Sequence, residues 1–497
     1  MSGESGNSTT RPIGPSGASS APAERSVVLA REQRLQALSE ADRDLIRLLK
    51  DPLFSRWKEQ IKAIGGCANP IYLSGSTLTR DAVTGEVLSS YSTDGEPGER
   101  LAVRCRNRRA SVCEPCAYLH AGDTFQLVRA GLSGGKGVPD AVRERPRLFV
   151  TLTAPSFGPV HRVRDGEWCR PRRDEPRCEH GRRLGCGLVH TEEDPPVGMP
   201  LCPDCYDYVG HVLWHAHAGR LWDRFTTAVR RYLASAGGVP RSKLGDHLVV
   251  SFAKVAEFQR RAAVHFHAVV RMDGPDGPSS SAPDWATEDV LLDAVEHAAA
   301  SGFVTVPDSE AYGMERIGWG GQFDAHPIRP NPETGGPSDS AVAGYVAKYV
   351  TKGAADTGAG LDYRVKSLED IRSAVVSRHV RALMGTCWRL GGLAELEHLR
   401  LRSWAHSLGY RGHVLTKSRR YSTTYGALRE ERADYRQGDT RPTDGLGAVT
   451  ESAWRYVGSG YTPGESDVAF GIAEDIVINR QLAREAWEDA EQWGEWL

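Results

Sequence analysis

Apolar residues recur at helical spacing from Val27 to Ile64, where Leu35, Leu38, Leu45, Leu48 and Leu49 share one stripe, so a helical region is predicted there. Strand rhythm appears later. The run Arg147-Leu148-Phe149-Val150-Thr151-Leu152-Thr153-Ala154-Pro155 reads as a buried strand ended by proline. Trp214 to Leu233 is amphipathic with a helical period, and His247 to Phe258 and Ala262 to Arg271 read as the two strands of a hairpin that turns at Arg260-Arg261. Beyond it the pattern predicts a short helix (Glu288 to Ala300), a strand pair near Phe303 and Gly321, a helix carrying Tyr345, and mostly helix from about Ser367 to Ser407. Stretches rich in Pro, Gly and Ser at 274–284 and 329–337 read as linkers.

With 497 residues the chain exceeds the roughly 250–300 at which a single core stops growing, so several domains are expected. The reading divides it into a disordered tail (1–25), an N-terminal helical region (26–100), a first cysteine-knuckle region (101–145), a central domain (146–366) with a cysteine-rich insertion at about 165–210, and a helical, basic C-terminal region (367–497) with an acidic tail. No stretch is apolar enough for a membrane span or a secretion signal, which predicts a cytoplasmic protein with no membrane partner. The net charge is only −2, yet Arg100 to Arg183 hold 18 Lys/Arg against 9 Asp/Glu, and Arg400 to Arg436 hold 9 against 3. From Glu465 onward the sign reverses. Local basic runs either form a solvated face or meet a polyanion, and the total charge does not decide between them.

Eight of the 10 cysteines fall between Cys105 and Cys205. In a cytoplasmic chain such clustering points to zinc rather than disulfides. Cys113-x-x-Cys116 and Cys202-x-x-Cys205 have zinc-hairpin spacing. Cys178 with Cys186 or His180 is a candidate to complete the second set, and Cys105 with His120 the first.

The densest chemistry lies at His265-Phe266-His267, because alternation along a strand puts both imidazoles on one face. Glu257, on the preceding strand, folds back beside them if the turn is tight, and Gln259 is the fallback for that position. One carboxylate and two imidazoles leave positions open for water and phosphate, the arrangement of a catalytic divalent site. Imidazole ligands favour Mn2+ over Mg2+, an order that cellular abundance is able to reverse. The equal spacing of His215-Ala216-His217 lies in a predicted helix, where i and i+2 diverge, and so is not read as a metal pair. Tyr345 and Tyr349 share a helix face, as do Lys348 and Lys352 on a neighbouring one. A tyrosine hydroxyl attacks poorly at its ordinary pKa and needs such neighbours to activate it.

In three ordered motifs the chain resembles the His-hydrophobic-His (HUH) endonucleases that start rolling-circle replication: Phe149 to Thr153, His265-Phe266-His267, and Tyr345 to Lys352. The cysteine-rich insertion and Thr416-Lys417-Ser418-Arg419-Arg420-Tyr421 are similar, more narrowly, to RepSA-like initiators of actinomycete plasmids and integrative conjugative elements. The resemblance implies an α+β fold: a central antiparallel sheet flanked by helices, with zinc-knuckle insertions and a helical C-terminal region. It implies metal ligation by Glu257, His265 and His267, attack at the origin by one of Tyr345 and Tyr349 and cleavage of the regenerated origin by the other, in an order that the sequence leaves open, and a 5′-phosphotyrosyl link with a free 3′-hydroxyl that primes the host polymerase. It further implies structural Zn2+ on Cys105, Cys113, Cys116, Cys178, Cys186, Cys202 and Cys205, and DNA contacts from Lys417, Arg419, Arg420 and Tyr421. The partners implied are single-stranded or hairpin origin DNA and a host helicase, since no motor motif is present. A rolling-circle transposase shares the same equipment, and a zinc-containing DNA-binding regulator is the reading from a different class.

Overall fold

The computed structural model describes residues 37–437 and 447–494 together with residue 33, apart from 165, 172–175, 314–315, 330–336, 353–357, 359 and 362. The predicted disordered tail and most of the 329–337 linker lie outside the described residues. The chain forms two compact units, one of Met1–Cys105 with Ala448–Leu497 and one of Arg106–Gly447.

In the first unit, the predicted helical stripe, of which all before residue 37 but residue 33 lies outside the described residues, is broken in two. Helix α1 (Glu40–Lys50) begins at Ser39, whose hydroxyl accepts from the Asp42 N–H. It stops before Pro52, which has no N–H to continue the ladder, and α2 (Phe54–Ala63) starts afresh. Strand β1 (Ile71–Asp81) then pairs antiparallel with both β2 (Val87–Ser92) and β3 (Leu101–Val103).

The second unit opens with α3 (Glu114–Ser133) and β4 (Arg147–Leu152), then α4 (Tyr208–Ala236). Strands β5 (Val249–Phe258) and β6 (Val264–Asp273) form the predicted hairpin, followed by α5 (Glu288–Ser301), the short pair β7 (Phe303–Thr305) and β8 (Arg316–Gly318), and β9 (Phe323–Pro327). Then come α6 (Asp339–Val350), α7 (Leu368–Ser373), α8 (Arg378–Leu390), β10 (Leu415–Lys417) and α9 (Tyr425–Gln437). Its five-stranded sheet runs β10-β5-β6-β4-β9, and every pair is antiparallel. Alternation in β6 divides the two layers of helix. Phe266, Ala268, Val270 and Met272 join the core formed with α4, α5 and α8, while Val269 joins a smaller core with Leu127 of α3 and Val346 of α6.

Two buried arginines tie the second layer to the sheet. Arg271, fully buried on β6, donates to Asp273 at 2.8 and 2.9 Å and to the carbonyls of Gly131 and Tyr421. Arg147 on β4 donates to Asp339, in the first turn of α6, at 2.9 Å and to the Leu132 carbonyl at 2.6 Å. Gly131 is required here, because a Cβ would lie 2.3 Å from the Tyr421 ring.

On the opposite side His211, His215 and His379 are buried, and burial holds all three as neutral imidazoles, with His215 and His379 drawn down to about 4. His215 and His217 turn to separate carbonyls, Leu408 and Leu213, as expected of a helical pair that shares no ligand. As pH falls from about 6.5 towards 4, the unfolded chain takes up protons that the folded one refuses, so stability declines across that window. At pH 5 each of His215 and His379 is expected to cost on the order of 2 kcal/mol relative to neutral pH. Urea unfolding midpoints at pH 7.5 and pH 5 test this, and equal midpoints would exclude it.

The chain then returns to the first unit. Strand β11 (Ala448–Ser459) pairs with the whole length of β1, from Ile71↔Ser459 to Asp81↔Ala448, and α10 (Pro463–Gly494) follows.

Candidate functional site

The β5–β6 hairpin sets Glu257 directly opposite His265, and β4 sets Thr151 directly opposite His267. These four side chains therefore stand on the face covered by α6. That helix is capped by Ser338, whose hydroxyl accepts from the Ala341 N–H, and it buries Val342, Ala343 and Val346 in the smaller core. Its remaining face turns Tyr345 inward. The Tyr345 hydroxyl donates to Glu257 Oε2 at 3.2 Å and lies 3.1 Å from His267 Nε2. His267 Nε2 is 2.8 Å from the same carboxylate oxygen, and its Nδ1 is 3.1 Å from the Thr151 hydroxyl. Phe149 stacks on His267 and meets Tyr345 edge-on, so one ring packs against both the imidazole and the phenol.

Tyr349, one turn further along, packs its ring 4.6 Å from that of Tyr345. Lys348 and Lys352 place their ammonium groups 5.7 and 5.3 Å from the centre of the Tyr349 ring. The positive charge thus gathers around the second tyrosine. Arg108 secures the end of α6 by donating to the carbonyls of Val350 and Lys352, both at 2.9 Å. Gln259, beyond the end of β5, accepts from Arg261 Nε through its side-chain oxygen at 3.2 Å.

Burial, with the nearby charges of Arg261 and His267, pulls His265 down to about 3, so it presents a neutral imidazole. Its Nε2 is buried and has no hydrogen-bond partner among the described residues. Burial, together with the charge of Glu257 and the neighbouring Tyr349, pushes Tyr345 well above the ordinary phenol range. Burial also raises Tyr349. One carboxylate and two imidazoles on one face, with His265 Nε2 lacking a partner among the described residues, suit a divalent cation. Such an ion would have to replace the direct Glu257–His267 bond, for these three side chains are not among the groups whose donor atoms already lie within 4.8 Å of one another.

The groups that do meet that spacing are made of cysteine and histidine. Cys178, His180, Cys202 and Cys205 converge, with His180 Nδ1 3.2 Å from the Cys205 sulfur and 3.8 Å from that of Cys202. Of the two partners left open by spacing, His180 is the one that joins Cys178. Cys186 instead joins His161, Cys169 and His190. No adjacent Cys-x-x-Cys marks this second group; the only clue was a surplus of Cys and His within fifty residues of Arg, Pro and Gly. Cys113 and Cys116 lie buried at the start of α3, while in the first unit the Cys105 N–H reaches the Cys67 sulfur at 3.3 Å. His120 stacks on Tyr425.

The basic segment needs a correction. Tyr421 is fully buried and its hydroxyl donates to the Val128 carbonyl at 3.0 Å, so it is a packing residue with no surface to offer DNA. Lys417 is half-buried and donates to the Ser422 carbonyl at 3.0 Å. Arg419 and Arg420 are exposed.

Comparison with known proteins gives the class of the chain, that of replication initiators. The chain matches the family model described as "Replication initiator protein, pSAM2" over residues 53–474. It is 46% identical over 458 residues to a replication initiator protein of Streptomyces ambofaciens, a match covering 90% of this chain and 95% of that one. The chain belongs to this RepSA family of plasmid replication initiators. No solved structure matches it significantly. Among the described residues no helix is long and apolar enough to cross a membrane.

Proposed function

We propose that the chain is an HUH-type nickase that opens one DNA strand at a plasmid or integrative-element origin and leaves itself on the new 5′ end. The observation that carries this reading is the Tyr345 hydroxyl, within hydrogen-bond reach of both Glu257 and His267, whose strands put them on the same sheet face as His265. Manganese or magnesium, held by Glu257, His265 and His267, would supply the Lewis acidity that polarises the scissile phosphate. His267 can offer Nε2 as a ligand when Nδ1 carries its proton, and Thr151 is placed to accept that proton in a hydrogen bond.

Tyr345 Oη forms the bond to phosphorus as the bond from phosphorus to O3′ breaks. The phenolic proton passes to Glu257, its present acceptor, and the departing O3′ takes a proton from water. The free 3′-hydroxyl primes the host polymerase behind a host helicase. Tyr349 then acts on the regenerated origin, with Lys348 and Lys352 neutralising the phosphate beside it. Lys417, Arg419 and Arg420 contribute backbone contacts to single-stranded or hairpin origin DNA. Zinc on Cys178, His180, Cys202 and Cys205, and a second knuckle at Cys113-x-x-Cys116, shape the basic loops.

Incubating the purified chain with a supercoiled plasmid that carries its own gene neighbourhood, with manganese or EDTA, tests the proposal. Metal-dependent nicking with protein covalently held on a 5′ end is expected. An intact plasmid and no adduct, with DNA binding retained, would overturn it.

A further inference from the structure

We infer that His161, Cys169, Cys186 and His190 form a further, closed zinc site that braces the tip of the β5–β6 hairpin. The inference stands apart from the nicking chemistry, since it rests on a different lobe. Four soft or borderline donors, two thiols and two imidazoles, lie within 4.8 Å of one another, the number and type that structural zinc takes. Cys169 and His190 are buried and the other two are partly so, which closes the site to substrate.

The surrounding hydrogen bonds already orient the ligands. His190 gives its Nδ1–H to Asp194 at 3.1 Å, and Asp194 is itself held by the Thr191 N–H at 3.2 Å. That leaves His190 Nε2 to face the cluster, 3.3 Å from His161 Nδ1 and 3.5 Å from the Cys186 sulfur. A carboxylate behind a histidine ligand fixes its tautomer and raises its basicity, the usual support for a metal-bound imidazole. The Arg162 N–H donates to the Cys169 sulfur at 3.3 Å and so fixes where that sulfur stands. No disulfide links the two cysteines.

The lobe also needs the ion. Between Val160 and Pro200 the described residues form only isolated bridges, with no helix or strand, and they contribute almost nothing to the buried apolar clusters. A segment without a core of its own is stabilised by what binds it. Its distal loop bears on the hairpin: Gly198 approaches so closely that a Cβ would stand 2.4 Å from the Arg260 carbonyl, and Glu192 pairs with Arg260 at 3.7 Å. Arg260 lies between Glu257 and His265 in sequence. A fixed His190 loop therefore limits the freedom of the turn that sets those two side chains opposite each other.

The test compares bound zinc, by elemental analysis, in the full chain and in a Cys169→Ser/Cys186→Ser variant. The variant is expected to lose one equivalent while keeping the zinc bound through Cys202 and Cys205, and to exchange the amide hydrogens of residues 259–264 faster. Unchanged zinc content would overturn the site, and unchanged exchange after zinc loss would overturn the brace. Should the double variant fail to fold, a His190→Cys chain substituted with cobalt is expected to gain a third thiolate in its ligand-field and charge-transfer spectrum; an unaltered spectrum would overturn the assignment.

Discussion

Tyr345→Phe is expected to abolish nicking of a supercoiled origin plasmid, with a loss on the order of 10⁴-fold or more, while binding to origin DNA is unchanged. The substitution removes one oxygen and little else. The ring keeps its neighbours, His267 at 5.0 Å, Phe149 at 5.7 Å and Tyr349 at 4.6 Å, and the Glu257–His267 bond at 2.8 Å does not involve it. Any loss is therefore a loss of chemistry rather than of packing. Tyr349→Phe is expected to spare the first nick and to block release of the completed circle. A denaturing gel that separates nicked, joined and protein-linked strands reads both effects. If Tyr349→Phe stopped the first cleavage and Tyr345→Phe did not, the order of the two nucleophiles would be reversed.

Arg271→Met is expected to destabilise the second unit by about 3–5 kcal/mol, because it leaves Asp273 buried without its cation. Both side chains have no solvent exposure, so water cannot stand in for the lost partner. The carbonyls of Gly131 and Tyr421 lose their donor as well, which loosens α3 and the segment before α9 from the sheet. Removing both charges in Arg271→Met/Asp273→Leu is expected to restore part of the loss. Chemical denaturation of the three proteins decides it, and a double variant no more stable than the single one would exclude the ion-pair explanation.

Much of the second unit was legible because its elements depend on local periodicity. The β5–β6 hairpin, the helix through Trp214 and the helix of Tyr345 all fall where the pattern places them. Tyr421, a tyrosine among Lys, Arg and Ser, has the composition of a nucleic-acid loop, and only the tertiary fold shows that it fills the gap left by Gly131. The segment 274–284 reads as a linker by its Pro and Gly, yet Gly274 and Gly277 form a bridge there and Arg420 donates to the Pro275 carbonyl. The grouping of Cys186 with His161 and Cys169 depends on how an irregular loop folds back on itself, for which one-dimensional spacing carries no signal. Strand β11 is exposed at nearly every position, so burial gives it no alternation, and its place is set by its pairing with β1 and by the stacking of Trp454 on Tyr91.

That last pairing matters while the polypeptide is being synthesised. Thr79 and Thr450 share a hydroxyl contact across β1 and β11 although 371 positions separate them. At about 5–20 residues per second, the ribosome makes the partner of β1 roughly 20–70 s after β1 itself emerges. During that interval β1 has one edge unpaired, a state that invites association between nascent chains. Its sequence, Ser74-Gly75-Ser76-Thr77-Leu78-Thr79-Arg80, is polar and bears a charge, and β2 follows soon enough to cover the other edge. The Arg106–Gly447 unit is complete in the nascent chain before β11 exists, so the oldest part of the chain is the last to finish folding.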